Sequence, residues 1–231
     1  MKLRIKYSKT GVLRFIGHLD CMRLFQKAIR RAKLDISYSK GFSPHQIISF
    51  AAPMPLGMTS EGEYFDGEFN SVTSSQDMMN RLNSTLPEGV RVLDIVLLPE
   101  EAKPSMAVVS ASDYLVYKND EALNDVVSRL KKGVSDFICR DEIVVIKKTK
   151  SKEEPADIKP AIYNISVRDD GIYMLLASGS AYNLKPELVI MALCQYCGEE
   201  YDRYDYMIHR LETYMGEKGN LLPLKEAGES F

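Results

Sequence analysis

The chain has 231 residues, of which 45% are hydrophobic and only 24 are Gly or Pro (14 and 10), a composition that supports a packed core and excludes a wholly disordered chain. No apolar run approaches the ~20 residues of a membrane helix, and four cysteines (Cys21, Cys139, Cys194, Cys197) in such a chain read as buried thiols rather than a disulfide frame. The formal charge is −2, but residues 1–40 hold eleven Lys/Arg against two acids, a local net of 11 − 2 = +9, so the other 191 residues carry 19 basic against 30 acidic, or −11. Gathered on one face, such a block is the electrostatic footprint of a phosphate-rich partner.

The first segment, Lys2 to Ser8, alternates as a strand, with Leu3, Ile5 and Tyr7 on one face and Lys2, Arg4 and Lys6 on the other. It opens without a signal-peptide apolar region, so a cytoplasmic protein is expected. From about His18 to Leu34 the period becomes helical: Met22, Phe25, Ile29 and Ala32 share one side and Arg23, Lys27 and Arg30 the other, predicting an amphipathic helix with a basic outer face. Gly41-Phe42-Ser43-Pro44-His45 follows, then a strand at 47–51, the Pro-stiffened loop 52–58, a strand at 63–69, a helix at 75–86 capped by Ser74 or Ser75, and a strand at 91–98. The order is β-α-β-β-α-β, the ferredoxin-like pattern.

After a linker at 99–105 the order recurs, with strands near 107–117, 141–149, 159–168, 171–177 and 205–214 and helices at 120–132 and 185–196. The segment 151–157 reads as a hairpin connection, Asn183 as a helix N-cap, and the stretch from 216 as a flexible tail or an extended arm. The expected fold is therefore α+β, with two tandem ferredoxin-like units at 1–99 and 106–215 and a tail at 216–231.

Three clusters carry candidate chemistry. Arg14-Phe15-Ile16-Gly17-His18-Leu19-Asp20 leads into the basic helix and places His18 at its positively polarised start, where a phosphate would be a natural guest, although His18 could equally pack at the edge of the core. In the 41–45 loop Phe42 could stack on a base and His45 could donate to a phosphate or act as an acid or base; a turn with Phe42 in the core is the structural alternative. The expected nucleic-acid contacts are Arg14, Arg23, Lys27, Arg30, Arg31, Lys40 and Phe42. Cys194-x-x-Cys197 with His209 raises a metal or redox site, but Cys194 continues a buried helix face, which favours packing. No metal is expected.

The ordered motifs R-F-I-G-H-L-D, G-F-S-P-H, S-F-A-A-P-M-P-L-G with S-E-G-E-Y-F-D, D-I-K-P and N-L-K-P-E, over about residues 1–215, resemble the bacterial radical SAM-linked protein family, whose uncharacterised members occur beside or fused to a radical SAM protein. The resemblance implies a radical SAM protein as partner and marks Arg14, His18, Asp20, Gly41, Phe42, Pro44, His45, Pro53, Pro55, Gly57, Glu61, Gly62, Asp157, Lys159, Asn183 and Pro186 as motif positions. The chain has no cluster-binding cysteine triad of its own, so no cofactor is expected in it. The double ferredoxin-like order with an N-terminal His also looks like that of the CRISPR repeat-processing endoribonucleases. The sequence thus supports an accessory RNA-binding module acting with a radical SAM enzyme on tRNA or rRNA. Two alternatives are a metal-independent endoribonuclease using His18 and His45, and a protein-interaction adaptor that binds no RNA.

Overall fold

The computed structural model describes residues 1–118, 124–148, 153–180 and 182–231. The start of the predicted helix at 120–132, the last residue of the strand at 141–149 and the first two residues of the 151–157 connection lie outside them. The fold is α+β. The chain forms two compact units, Met1–Ser110 with Arg210–Phe231, and Ala111–His209. The boundaries between these units fall within strands.

In the first unit, β1 (Lys2–Lys9), α1 (His18–Arg31), β2 (Ile48–Phe50), β3 (Thr59–Glu68), α2 (Ser75–Asn83) and β4 (Val90–Leu97) follow in order, with a 3-10 turn at Gly11–Phe15 before α1. β1 lies between β4 and β3, antiparallel to both, and the short β2 pairs with β3 at Ile48↔Gly67 and Phe50↔Phe65. α1 forms because its apolar residues recur at helical spacing: Cys21, Phe25, Ala28 and Ile29 are buried on one side. Phe25 meets the rings of Tyr7 at 4.7 Å and Phe65 at 4.8 Å, and a fully buried Phe of this kind contributes about 1.5–3 kcal/mol. The helix ends where Arg81 of α2 donates to the carbonyls of Ala32 and Lys33, supplying partners for its last C=O groups. α2 begins at Ser74, whose Oγ accepts from the Asp77 amide at 3.2 Å.

The second face of β1, which alternation makes basic, is covered in the fold. Arg4 is 1% exposed and forms a fork with Asp66, Nε to Oδ1 at 2.8 Å and Nη2 to Oδ2 at 3.1 Å, while Nη1 donates to the Leu224 carbonyl and Nη2 also to that of Lys103. Lys6 pairs with Glu212 at 2.5 Å and Lys9 is buried. The cause is a covering layer that alternation within β1 could not reveal. The short α3 (Ser105–Val108) donates its Ser105 amide to Asp66 at 2.6 Å. The C-terminal stretch does not hang free as a tail: β11 (Asn220–Pro223) pairs with β10 (Tyr206–Glu217), a 3-10 turn follows at Leu224–Ala227, and Leu224 is fully buried. Gly62 of β3 permits the close approach of β10, since a Cβ there would stand 2.4 Å from the Glu212 Cα.

In the second unit β5 (Val109–Lys118), β9 (Gly171–Ala177) and β8 (Ile162–Arg168) form an antiparallel sheet in that order. α4 (Asn124–Cys139) and α5 (Pro186–Cys197) pack on one another. β6 (Val144–Lys148) and β7 (Glu153–Asp157) pair as a separate hairpin, an element that a plain β-α-β-β-α-β copy lacks. The N-cap of α5 is Lys185 rather than Asn183, because Pro186, with its fixed φ, takes the first helical position.

Two outcomes test this account. Asp66→Ala, which strands a buried guanidinium, is expected to lower the unfolding free energy by about 3–5 kcal/mol in urea titration, and Arg4→Met with Asp66→Leu to restore most of it. Hydrogen bonds from Asn70 and Ser71 hold the Asp35 carboxyl below its ordinary pKa, and those from Thr73 and Arg81 do the same for Asp77. A carboxylate lowered in the folded state stabilises above its unfolded pKa, near 4, and that contribution disappears as pH falls through the lowered value. The acid limb of the stability curve should therefore flatten in Asp35→Asn and Asp77→Asn.

Candidate nucleic-acid interface

Opposite its buried side, α1 carries a stripe of cations. Arg23, Lys27 and Arg31 recur at i, i+4 and i+8, and together with Asp20 and Leu24 they line a groove of about 690 Å³ whose other wall is the α2–β4 connection, Ser84-Thr85-Leu86-Pro87. That wall is fixed to the helix, since Thr85 Oγ1 donates to the Ala28 carbonyl at 3.3 Å and to that of Leu82 at 2.8 Å. The groove holds three cations against one carboxylate. Asp20 engages Arg23 at 3.4 Å across an exposed i,i+3 pair of little energetic weight, and Lys27, Arg30 and Arg31 have no ion pair among the described residues. Arg30 stands beside the stripe, its Nε donating to the Gln26 carbonyl at 3.3 Å.

The segment 37–47 folds back on the other side of α1 as a hairpin. Tyr38 and Gln46 form a β-bridge, Ser39 N donates to the His45 carbonyl at 2.8 Å, His45 N donates to Ser39 Oγ at 3.1 Å, and that hydroxyl also meets His45 Nδ1 at 2.9 Å. Gln46 Nε2 ties the hairpin to the helix by donating to the Gln26 carbonyl at 3.3 Å. Gly41 sits at φ +118°, a conformation that favours glycine, and turns the tip. Phe42 beside it is 112% exposed, so it fills no core; Lys40 is exposed on the same hairpin.

The remaining candidates occupy other places. Gly17 is the N-cap of α1 and His18 its first residue; the exposed imidazole meets the Phe50 ring edge-on at 5.2 Å. His45 belongs to the hairpin anchored at Gln26, eight residues further along α1, or ~12 Å along the axis at 1.5 Å per residue. The two imidazoles thus join separate local arrangements, His18 at the start of α1 and His45 on the hairpin. Arg14 lies in the 3-10 turn, half-buried, its guanidinium 4.8 Å from the Phe15 ring and its carbonyl accepting from Gly57 N, off the α1 stripe.

Several motif positions of the second unit have structural partners. Asp157 Oδ1 accepts from the amides of Ile143 at 2.8 Å and Lys159 at 3.0 Å, and Lys159 Nζ donates to the Ile138 carbonyl. Cys194 Sγ lies 3.1 Å from the Tyr206 hydroxyl, and burial pushes the Cys197 thiol up. Among the described residues no group of three or more His, Cys, Asp or Glu is arranged to hold a metal ion, and no helix is long and apolar enough to cross a membrane. The signal that sequence reading missed is the α2–β4 wall: Thr85 and Pro87 look like an ordinary helix end until the fold sets them against α1.

Fold and surface together define a protein of the α+β class with a rigid cationic groove on its first helix. The chain belongs to the bacterial family described as "Uncharacterized protein conserved in bacteria (DUF2344)", which matches residues 2–186. Among solved structures it is similar to a chain of the "Crystal Structure of a Cbf5-Nop10-Gar1 Complex", with a TM-score of 0.45 and 10% identity, over 91% of this chain and 48% of that one. The chain thus spans about half the length of that similar structure. No curated protein matches it.

If the hairpin is held by Ser39 and His45, then Ser39→Ala, which removes both hydroxyl contacts, should speed amide hydrogen exchange at residues 39 and 45. Global stability should change by less than about 1 kcal/mol, since these bonds are exposed.

Proposed function

We propose that the protein is an accessory RNA-binding module that works with a radical SAM enzyme in tRNA or rRNA modification or processing. The observation that carries the RNA reading is the α1 groove: Arg23, Lys27 and Arg31 recur at the spacing that aligns them, face solvent, and are held on a helix whose opposite face is core. A cationic row on a rigid support neutralises successive phosphates without an ordering cost in the scaffold. The ordered sequence motifs support the radical SAM partner. On this reading the radical chemistry and its cofactor belong to the partner, and this chain supplies the RNA grip. The two units are proposed as tandem ferredoxin-like modules: the sheet order β4-β1-β3-β2 in the first supports this, and β6–β7 is an insertion in the second.

One observation favours the adaptor reading as a second possibility. Val12, Phe15, Leu19 and Leu56 are exposed around the start of α1, where the 52–58 loop is tied to the 3-10 turn by Gly57 N and the Arg14 carbonyl. Exposed apolar residues gathered in this way suit a protein partner.

Titrating fluorescent RNA at several salt concentrations separates the two. The RNA reading expects log affinity to fall linearly with log salt, and Arg23→Ala/Lys27→Ala/Arg31→Ala to reduce that slope by about 2 to 3, near one unit per phosphate lost. A slope unchanged in the triple variant removes the groove as the RNA site. Co-purification with the radical SAM protein that survives nuclease treatment, without RNA affinity, would establish the adaptor instead.

A further inference from the structure

We infer that Phe42 is a stacking platform for an unpaired base, so that the RNA taken by this surface is single-stranded, or has a looped or extruded nucleotide, where it crosses α1. The inference rests on the RNA reading above and adds the form of RNA bound.

A single exposed apolar side chain is ordinary on a protein surface. Phe42 differs in its support and its neighbours. The ring is 112% exposed, so no protein atoms shield either of its faces. It is nevertheless carried on a hairpin closed by the Tyr38–Gln46 bridge and by three contacts between Ser39 and His45, with Pro44 restricting the return strand. A ring held in this way loses little backbone freedom on binding.

The foot of the hairpin that carries it is placed by one shared acceptor. The Gln26 carbonyl receives both Gln46 Nε2 from the hairpin and Arg30 Nε from the helix, each at 3.3 Å. That carbonyl places the foot of the hairpin beside the Arg30 guanidinium. Moving round α1 from Gln26, in steps of 100° per residue, one meets Arg30, then Arg23, then Lys27 and Arg31, and finally the Ser84–Pro87 wall. The cationic stripe is therefore flanked by the aromatic hairpin on one side and the groove wall on the other, with Lys40 adding charge on the hairpin. Aromatic faces beside a row of cations are what single strands require: bases stack while phosphates are neutralised, and any base serves because each has a π-face. A paired duplex presents neither base face to such a ring.

The test uses the full chain and oligoadenylate carrying one 2-aminopurine, with a blocked hairpin duplex of the same charge for comparison. Stacking on Phe42 is expected to change the 2-aminopurine fluorescence on binding, and the single strand to bind more tightly than the duplex. Phe42→Ala should weaken single-strand binding about tenfold while leaving its salt slope and the duplex affinity unchanged. Phe42→Trp should retain the affinity and Phe42→Leu, which keeps apolar bulk without a π-face, should not. Because the ring touches no core, all three variants should unfold at the wild-type urea midpoint. Equal affinity in wild type and Phe42→Ala, with a normal salt slope, overturns the base platform and leaves the phosphate groove standing. Loss of all RNA binding in the wild type overturns both.

Discussion

The buried fork between Arg4 and Asp66 is the constraint on which the first unit is built. A guanidinium that is 1% exposed must find hydrogen-bond partners in every direction, because an unpaired charge in such a place would cost several kcal/mol. It finds them in segments far apart in sequence: Asp66 on β3, the Lys103 carbonyl in the connection that leaves β4, and the Leu224 carbonyl near the chain end. Asp66 in turn receives the Ser105 amide. The fork contributes less to net stability than to specificity, since only one arrangement of these three segments satisfies both groups. Nearby, Glu212 accepts from Lys6 and from the Tyr64 hydroxyl, whose pKa burial raises well above its ordinary value. The covering layer of the sheet is thus fastened by ionic and polar contacts, and the opposite face by packed rings.

This allocation decides where the N-terminal charge is available. Of the eleven cations in residues 1–40, Arg4, Lys6 and Lys9 are taken into the fold, leaving 11 − 3 = 8. The survivors concentrate on α1 and the hairpin beside it. The helix can present them rigidly because its C-terminal part is braced by other elements: Arg81 of α2 donates to the carbonyls of Ala32 and Lys33 at its end, and Thr85 to that of Ala28 in its last turn. The same α2–β4 segment that braces the helix forms the wall of the groove, so bracing and site are one construction.

What the sequence disclosed and what it withheld divide along a physical line. Helical periodicity is local, so the buried and cationic faces of α1, the Ser74 cap and the positions of most strands could be read from neighbouring residues. Alternation in β1 was legible too, but its meaning was not. Lys2, Arg4 and Lys6 look like an exposed row when only one face of a sheet is covered, and the cover here comes from residues 103–105 and 224, a hundred and two hundred positions away. The C-terminal stretch is a second case, since Leu224 is buried only among residues distant in sequence, Ala51, Tyr64 and Val109. Asn183 is a good N-cap by type, yet the proline three residues later determines where α5 starts. His18 could be placed at the start of α1 from sequence, but the position of His45 beside the helix, set by the Gln26 anchor, is a tertiary fact.

Charge on a rigid face within a net-negative protein has a further consequence. The other 191 residues carry −11, so an approaching polyanion is repelled by most of the surface and attracted along one stripe. A uniformly basic protein would hold RNA in many orientations; on the RNA reading proposed above, a single stripe would favour the orientation that lays the backbone along α1. The attraction is screened within ~8 Å at physiological salt, a distance comparable to a few residues of helix, so only the cations close to that stripe contribute to the hold. Orientation is what an accessory module can add to a separate catalytic partner, because a fixed backbone path fixes which nucleotide is offered and in what direction. On the accessory-module proposal, the geometry of α1, set ultimately by what its buried face packs against, would therefore be the quantity through which this fold acts on chemistry carried out elsewhere.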